Sequence, residues 1–223
     1  MARSLVKTNS QRIQIATSLI GATGVPVSMS MWYNQPAAIA ADQVLAALSN
    51  SGVGAASLDI VVYNSDKLVR AEAQEGGTDD DTAKSSTTVG SVANTWFHIL
   101  GVYGANNART CYVNGANPGS SSVTVNVTGL NTSTIGGTNN TGGPFSSNAT
   151  FAFFAFYNIA LIAQDALSLA SGAHPRKVRP GNLLSIVNLT GSNNPEPDYV
   201  ANTTWAFVGT GVPSEVANPR IYW

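Results

Sequence analysis

The sequence predicts a single all-β domain, built as an antiparallel sandwich of two sheets. β-branched and aromatic residues fall in short runs between clusters of Gly, Asn and Ser, a pattern typical of many strands joined by turns. Residues 96–103 carry apolar side chains at odd and even positions alike, which indicates a central strand packed on both faces. With 223 residues and 43% hydrophobic content, the chain is large enough for one core and favours no second domain.

Period-two alternation predicts the strands of the first half. We expect strands at residues 11–15, 25–33, 43–48, 57–63 and 68–74, the last with one solvated face. Residues 75–81 are rich in Asp and Gly and indicate a turn-rich acidic loop. Residues 85–89 follow as a polar edge strand.

The second half predicts further strands and one short helix. The strands are expected at residues 96–103, 109–114, 122–127 and 132–135, within the Phe-rich run 149–163, and at residues 182–188. The helix is expected near residues 163–171, with Gly172 just past its end and Pro175 beyond. We therefore expect a sandwich over residues 1–188 and an extended C-terminal tail over residues 189–223. This extension would pack on the sandwich or on a neighbouring subunit.

Three segments carry a family resemblance. They are Thr-Trp-Phe-His-Ile-Leu-Gly-Val-Tyr at 95–103, Arg-Thr-Cys-Tyr-Val-Asn-Gly at 109–115, and residues 156–172 with their Asn-x-x-Leu turn. Together with Trp32, this ordered set resembles the concanavalin A-like, laminin-G-like sandwich superfamily over roughly residues 10–172. The resemblance implies a two-sheet jelly roll. It leaves function open, because lectins, adhesion modules, glycan-cleaving enzymes and virion proteins share this fold.

We predict no catalytic residue, cofactor or metal site. Glycan-cleaving relatives carry closely spaced carboxylates on one strand face, whereas Glu72 and Glu75, three positions apart, point to opposite faces. Glu196 and Asp198 have suitable spacing, but the surrounding Pro and Asn residues indicate an exposed loop. His98 is expected to be buried and hydrogen-bonded across the sandwich rather than to act as a base.

Two further groups have simple structural interpretations. The lone Cys111 excludes an intrachain disulfide, and its place in strand alternation indicates a buried, inert thiol. Asp79, Asp80 and Asp81 could contribute Ca²⁺ ligands, but a solvated acidic loop is favoured because their spacing is not that of an EF-hand.

Charge and hydropathy argue against two classes of partner. A formal net charge of -1 gives no electrostatic reason to expect nucleic acid or an acidic membrane. The most membrane-like stretch, residues 149–163, is shorter than the roughly 20 residues of a spanning helix and is interrupted by Asn158. The first residues lack the apolar core of a secretory signal, so we expect a chain made without export.

The less regular tail supplies the candidate contacts with a partner. These are Trp205, Arg220, Tyr222 and Trp223, since aromatic and Arg side chains are enriched in interfaces. Packing of the tail onto its own sandwich is the alternative. Trp32 and Trp96 are expected in the core.

The sequence leads to one prediction of function and two alternatives. Residues 179–183 and 218–222 resemble extensions of phage-encoded members of the superfamily, so we predict a non-enzymatic virion structural protein, a capsid decoration (cement) protein or fibre component. It would be assembled in the host bacterial cytoplasm, with the major capsid protein or other virion subunits as partners and as a homo-oligomer. The first alternative is a carbohydrate-binding, lectin-like module that binds surface glycans. The second, a glycoside hydrolase or polysaccharide lyase, has no supporting motif.

Overall fold

The computed structural model describes the chain except residues 1, 16–18, 20–23, 36, 53–55, 77, 90, 140–145, 191–192, 212 and 220–223. The side chains of residues 9, 78–81 and 117 also lie outside the described part. The described residues form two antiparallel sheets packed face to face and one α-helix, as the sequence predicts.

Sheet A contains eight strands, seven of which follow one another from edge to edge. In spatial order they are β10 (Ala116–Ser121), β9 (Ala108–Val113), β8 (Trp96–Ala105), β3 (Val27–Asn34), β12 (Ala149–Tyr157), β1 (Ala2–Leu5) and β16 (Ser214–Val216). The eighth strand, β13 (Leu183–Val187), pairs with the second half of β12.

Sheet B also contains eight strands. In spatial order they are β14 (Glu196–Pro197), β15 (Thr204–Val208), β2 (Arg12–Ile15), β11 (Thr132–Ile135), β4 (Gln43–Ser49), β5 (Ser57–Val62), β6 (Leu68–Glu75) and β7 (Thr78–Thr88).

The core lies between the sheets and follows from strand alternation. In β3, the side chains of Val27, Met29, Met31 and Tyr33 point into the core, so the intervening residues face outward. The same alternation directs Leu58, Ile60 and Val62 of β5 inward from the other sheet. Burying these side chains is the main force that holds the two sheets together.

Helix α1 (Ala163–Ala170) covers only half of the outer face of sheet A. Ala166 and Leu169 pack with Leu100, Val102 and Tyr157 of the sheet in a second apolar cluster. Gly172 follows the helix with φ of +90°, a conformation that favours glycine, as expected for its stop signal. The other half of this outer face carries Trp32 and Trp96. Both are half-buried there, so the expectation that they lie in the core is wrong.

Two predicted elements are also wrong. The strand expected at residues 122–127 is instead β10, and residues 122–127 belong to no strand, although Val125 and Val127 are buried. β10 lacks β-branched residues; as an edge strand it tolerates Pro118, which has no N–H to donate. The acidic loop expected at residues 75–81 ends early, because β7 already begins at Thr78 and pairs with β6.

The described part of the C-terminal extension is built into the sandwich. β14 and β15 extend sheet B beside β2, and β16 extends sheet A beside β1. The chain therefore uses this segment to lengthen both of its own sheets.

Candidate functional site

A row of side chains crosses the half of sheet A that α1 leaves uncovered. Trp96, Asn34, Thr150, Ser4 and Ser214 lie opposite one another on β8, β3, β12, β1 and β16. Four strand spacings make this row roughly 19 Å long. Asn34, Ser4 and Ser214 are at least partly exposed and offer an amide or a hydroxyl group, which can donate and accept hydrogen bonds. Thr150, between them, is only 4% exposed.

A second, mostly apolar row runs beside the first. Trp32 lies between His98 on β8 and Ala152 on β12, and Ala2 pairs with Val216 at the sheet edge. Val216 is 41% exposed. We call the two rows together the tryptophan face.

The two tryptophans are held in place from below and from the side. Ala2, Ala152 and Phe153 form a small buried cluster, and both Trp32 and Trp96 pack against it. Phe153 reaches this position through a bulge in β12, where its φ is +51°. The ring of Trp32 also meets that of His98 edge-on, with centroids 5.5 Å apart. Both indoles are thus partly exposed and rest on a buried support.

The tryptophan face is uncharged at neutral pH. Neither row contains Asp, Glu, Lys or Arg. His98 is 1% exposed, and this burial lowers its pKa to about 3, so the imidazole is neutral. Its Nε2 lies 2.9 Å from Ser30 Oγ on β3. The face can therefore hold a neutral ligand that has apolar patches and many hydroxyl groups.

Comparison with known proteins agrees with the fold and places the chain in a family. A family model for the concanavalin A-like lectin/glucanases superfamily matches residues 7–166. The chain belongs to this superfamily. No curated protein matches the sequence significantly.

Several solved structures resemble this chain in fold at low sequence identity. The heptameric pentraxin of Limulus polyphemus has a TM-score of 0.58 at 13% identity, over 76% of this chain and 81% of its own. A Bacteroides ovatus protein to which carbohydrate binding is ascribed has a TM-score of 0.65 at 11% identity, over 97% of this chain and 61% of its own.

A third similar structure is domain 4 of the GH43 arabinanase AbnA from Geobacillus stearothermophilus, in complex with arabinotriose. Its TM-score is 0.56 at 18% identity, over 76% of each chain. At these identities, the three comparisons show a shared fold alone.

Glu196 and Asp198 do not lie in an exposed loop, contrary to expectation. Glu196 is 1% exposed, and its Oε1 lies 2.8 Å from Nε of Arg3 on the other sheet. Asp198 accepts hydrogen bonds from the Ser185 hydroxyl, from Trp205 Nε1 at 3.1 Å and from three backbone N–H groups. Both carboxylates therefore hold the C-terminal extension against the rest of the sandwich.

Trp205 is fully buried, so the expectation that it contacts a partner is wrong. Its ring meets Phe154 of sheet A at a centroid distance of 5.7 Å, which joins β15 to the core. The other three candidate contacts, Arg220, Tyr222 and Trp223, lie outside the described residues.

His98 and Cys111 are buried as the sequence predicts. However, His98 faces the outside of sheet A and bonds to a neighbouring strand, not across the sandwich, because Phe97 and Ile99 take the inward positions. Burial raises the pKa of the Cys111 thiol to about 12, which agrees with an inert thiol.

Sequence reasoning missed one pair of carboxylates. Asp59 on β5 lies directly opposite Glu72 on β6, on the outer face of sheet B. They are only 4% and 2% exposed, and Ser57 donates a hydrogen bond of 2.7 Å to Asp59. The sequence does contain a signal for this pair, because a tight turn at residues 63–67 between two predicted strands places residues 59 and 72 opposite each other. In this structure, neither carboxylate is exposed to an incoming ligand.

The described residues contain neither a cluster of metal-binding side chains nor a helix that could span a membrane. No group of three or more His, Cys, Asp or Glu side chains in that part of the chain could hold a metal ion. The backbone of Asp79, Asp80 and Asp81 belongs to β7, and their side chains lie outside the described part. Within the same residues, none of the helices has the length and apolar character to cross a membrane.

Proposed function

We propose that this chain is a non-catalytic glycan-binding module, and that it binds a neutral glycan along the tryptophan face. The observation that carries the proposal is the pair of partly exposed indoles, Trp32 and Trp96, beside uncharged polar side chains on the four strands β3, β12, β1 and β16.

The chemistry of the face matches the two sides of a sugar ring. Indole rings supply large, rigid apolar surfaces, against which the C–H face of a sugar packs. Asn34, Ser4 and Ser214 supply neighbouring donors and acceptors for sugar hydroxyl groups. A few oriented polar groups beside aromatic side chains are typical of small-molecule sites. Because the face is uncharged, it favours neutral over acidic glycans.

The superfamily supports this proposal at the level of fold. The Geobacillus domain has this fold and is in complex with arabinotriose, and carbohydrate binding is ascribed to the Bacteroides protein. The residues of the tryptophan face belong to this chain and are not carried over from these structures.

The placement of the carboxylates favours binding over cleavage. Glycoside hydrolysis needs two carboxyl groups that flank the scissile bond. Asp59 and Glu72 form such a pair by register, yet both are buried. Glu196 and Asp198 are engaged in holding the extension. Among the described residues, the carboxylate pairs singled out by spacing or register are thus unavailable to a substrate.

The proposal is tested first on a glycan array, then by calorimetry with the best neutral glycan. Trp32→Ala and Trp96→Ala are each expected to weaken binding at least tenfold, because aromatic anchors dominate such contacts. Tyr63→Ala is the matched control, since Tyr63 is a half-buried aromatic residue next to β5 in the other sheet, and it should leave binding unchanged. A flat array, or a hit unaffected by both tryptophan variants, would overturn the proposal.

The virion role, its capsid partners, the homo-oligomer and the virion location stay predictions from the sequence. They are compatible with glycan binding, since a decoration protein can display such a module. The test is co-sedimentation of the purified chain with undecorated capsids. Binding that is reduced on removal of residues 219–223 supports the prediction, and a chain that stays in the supernatant contradicts it.

A further inference from the structure

A cavity of about 660 Å³ opens at the end of the sandwich where β3 ends and β12 begins. It is lined by Lys7, Thr8, Gln35, residues 37–41, Gln43 and Asn148. None of these residues belongs to the tryptophan face. The volume falls within the range typical of small-molecule sites. We call it the end cavity.

Two buried side-chain amides, those of Gln35 and Gln43, line the end cavity and differ in their hydrogen bonding. Gln35 is 2% exposed, and both ends of its amide are used: Oε1 accepts from the Tyr33 hydroxyl, and Nε2 donates to the Ala37 carbonyl oxygen. Gln43 is 4% exposed, yet its Oε1 has no hydrogen-bond partner among the described residues. Buried carbonyl oxygens are normally satisfied, and Gln43 is one of the residues that line the end cavity, so a molecule bound there can supply the missing donor.

The end cavity is lined by a positive charge. Lys7 is the one charged residue among its described lining residues, and no carboxylate lines it. Its Nζ donates a hydrogen bond of 2.9 Å to the Asp42 carbonyl oxygen, which holds the ammonium group in place. That bond uses one of three N–H donors, so two remain for an anion.

We propose that the end cavity is a second binding site, for a small hydroxylated carboxylate such as a hexuronic acid. A hydroxyl group of the ligand donates to Gln43 Oε1, and its carboxylate meets the Lys7 ammonium. The methyl groups of Ala37, Ala38 and Ala40 supply the apolar wall. The residues of the end cavity are separate from the tryptophan face, where we expect neutral glycans to bind.

The test is calorimetric titration of the full chain with D-glucuronate and D-galacturonate, with D-glucose and acetate as the matched probes. At least one uronate is expected to bind at least tenfold more tightly than either D-glucose, which lacks the charge, or acetate, which lacks the hydroxyl groups. Lys7→Gln should weaken uronate binding at least tenfold. Gln43→Met, which keeps the size and removes the acceptor, should weaken it at least fivefold.

Two controls separate this proposal from the others. Lys177→Gln removes an exposed cation elsewhere and should leave uronate binding unchanged. Trp32→Ala should also leave it unchanged, whereas loss of neutral-glycan binding in that variant concerns the tryptophan face alone. No uronate binding at millimolar concentration, equal binding of acetate, or full binding by Lys7→Gln overturns the proposal. If Gln43→Met does not fold, Lys7→Gln decides, because Lys7 is only half-buried.

Discussion

The ion pair between Arg3 and Glu196 joins the first strand to the C-terminal extension across the sandwich. Their side chains are 1% and 2% exposed, and Nε lies 2.8 Å from Oε1. The other two guanidinium nitrogens donate to the carbonyl oxygens of Pro213, at 3.4 Å, and Asn193, at 2.9 Å. One arginine thus contacts three points of the extension, so its loss should be felt by the whole domain.

We expect Glu196→Leu to lower the free energy of unfolding by about 3 kcal/mol. Removing one partner of a buried ion pair typically costs about 3–5 kcal/mol, because the other charge is left uncompensated. Here Glu215 lies 3.8 Å from Arg3 Nη1 and is 27% exposed, so it compensates in part and sets the lower end of that range.

The partner variant, Arg3→Met, should show a penalty that depends on pH. Burial raises the pKa of Glu196, and the hydrogen bond from Arg3 opposes this. Without Arg3, the Glu196 pKa rises further, so the folded chain holds a proton that the unfolded chain loses as pH increases. The penalty should therefore be larger at pH 7 than at pH 5. The double variant Arg3→Met/Glu196→Leu replaces both charges with apolar groups and should cost less than about 1 kcal/mol.

The assay is urea unfolding followed by tryptophan fluorescence, with all four chains measured under the same conditions. We expect one cooperative transition, with the same dependence of the unfolding free energy on urea concentration in all four chains. A loss below about 1 kcal/mol in Glu196→Leu would refute the account of the ion pair. A separate early transition in the unmutated chain would show that the extension unfolds independently, against its integration in both sheets.

Three further predictions concern single residues. Burial lowers the pKa of His98 to about 3 in the folded chain, against an ordinary value of 6.5. On acidification, the unfolded chain therefore takes up a proton that the folded chain does not. Lowering the pH from about 7.5 to about 5 should reduce the free energy of unfolding by about 2 kcal/mol, and His98→Gln should flatten this pH dependence in urea unfolding. Gly119→Ala places a Cβ 1.7 Å from the Lys84 carbonyl oxygen and should cost about 2 kcal/mol or more in thermal unfolding. The control Gly181→Ala, which meets no atom within 4 Å, should be near neutral, and equal effects would contradict the packing of β10 on β7. Cys111 should resist a thiol reagent at pH 8 until urea unfolds the chain, since burial raises the pKa of its thiol to about 12; rapid native labelling would be inconsistent with this.

The sequence predicts the sandwich well because the alternation of residues within each core strand shows which side chains face the core. The alternation in β8 and β5 needs no long-range knowledge, and the turn and stop residues around α1 act locally. The same alternation could not show that Trp32 and Trp96 are partly exposed. It places both on the face opposite Phe97 and Ile99, but whether that face is covered depends on how far α1 extends over sheet A.

Long-range pairing explains the other errors. Glu196 and Asp198 stand among Pro and Asn residues, whose local preference is for loops. Their burial depends on Arg3, at the opposite end of the chain, and on the indole of Trp205. Gln43 looks like an ordinary first residue of a strand, and only the assembled end of the sandwich shows that its amide oxygen is buried.

The most direct test of glycan binding at the tryptophan face is a titration followed by nuclear magnetic resonance. The chain is labelled with ¹⁵N, and the indole N–H signals are assigned with single Trp→Phe variants while the best neutral glycan is added. The account predicts that the Trp32 and Trp96 signals shift together and saturate, while that of the buried Trp205 stays in place. A glycan that binds without moving either Trp32 or Trp96 would contradict it.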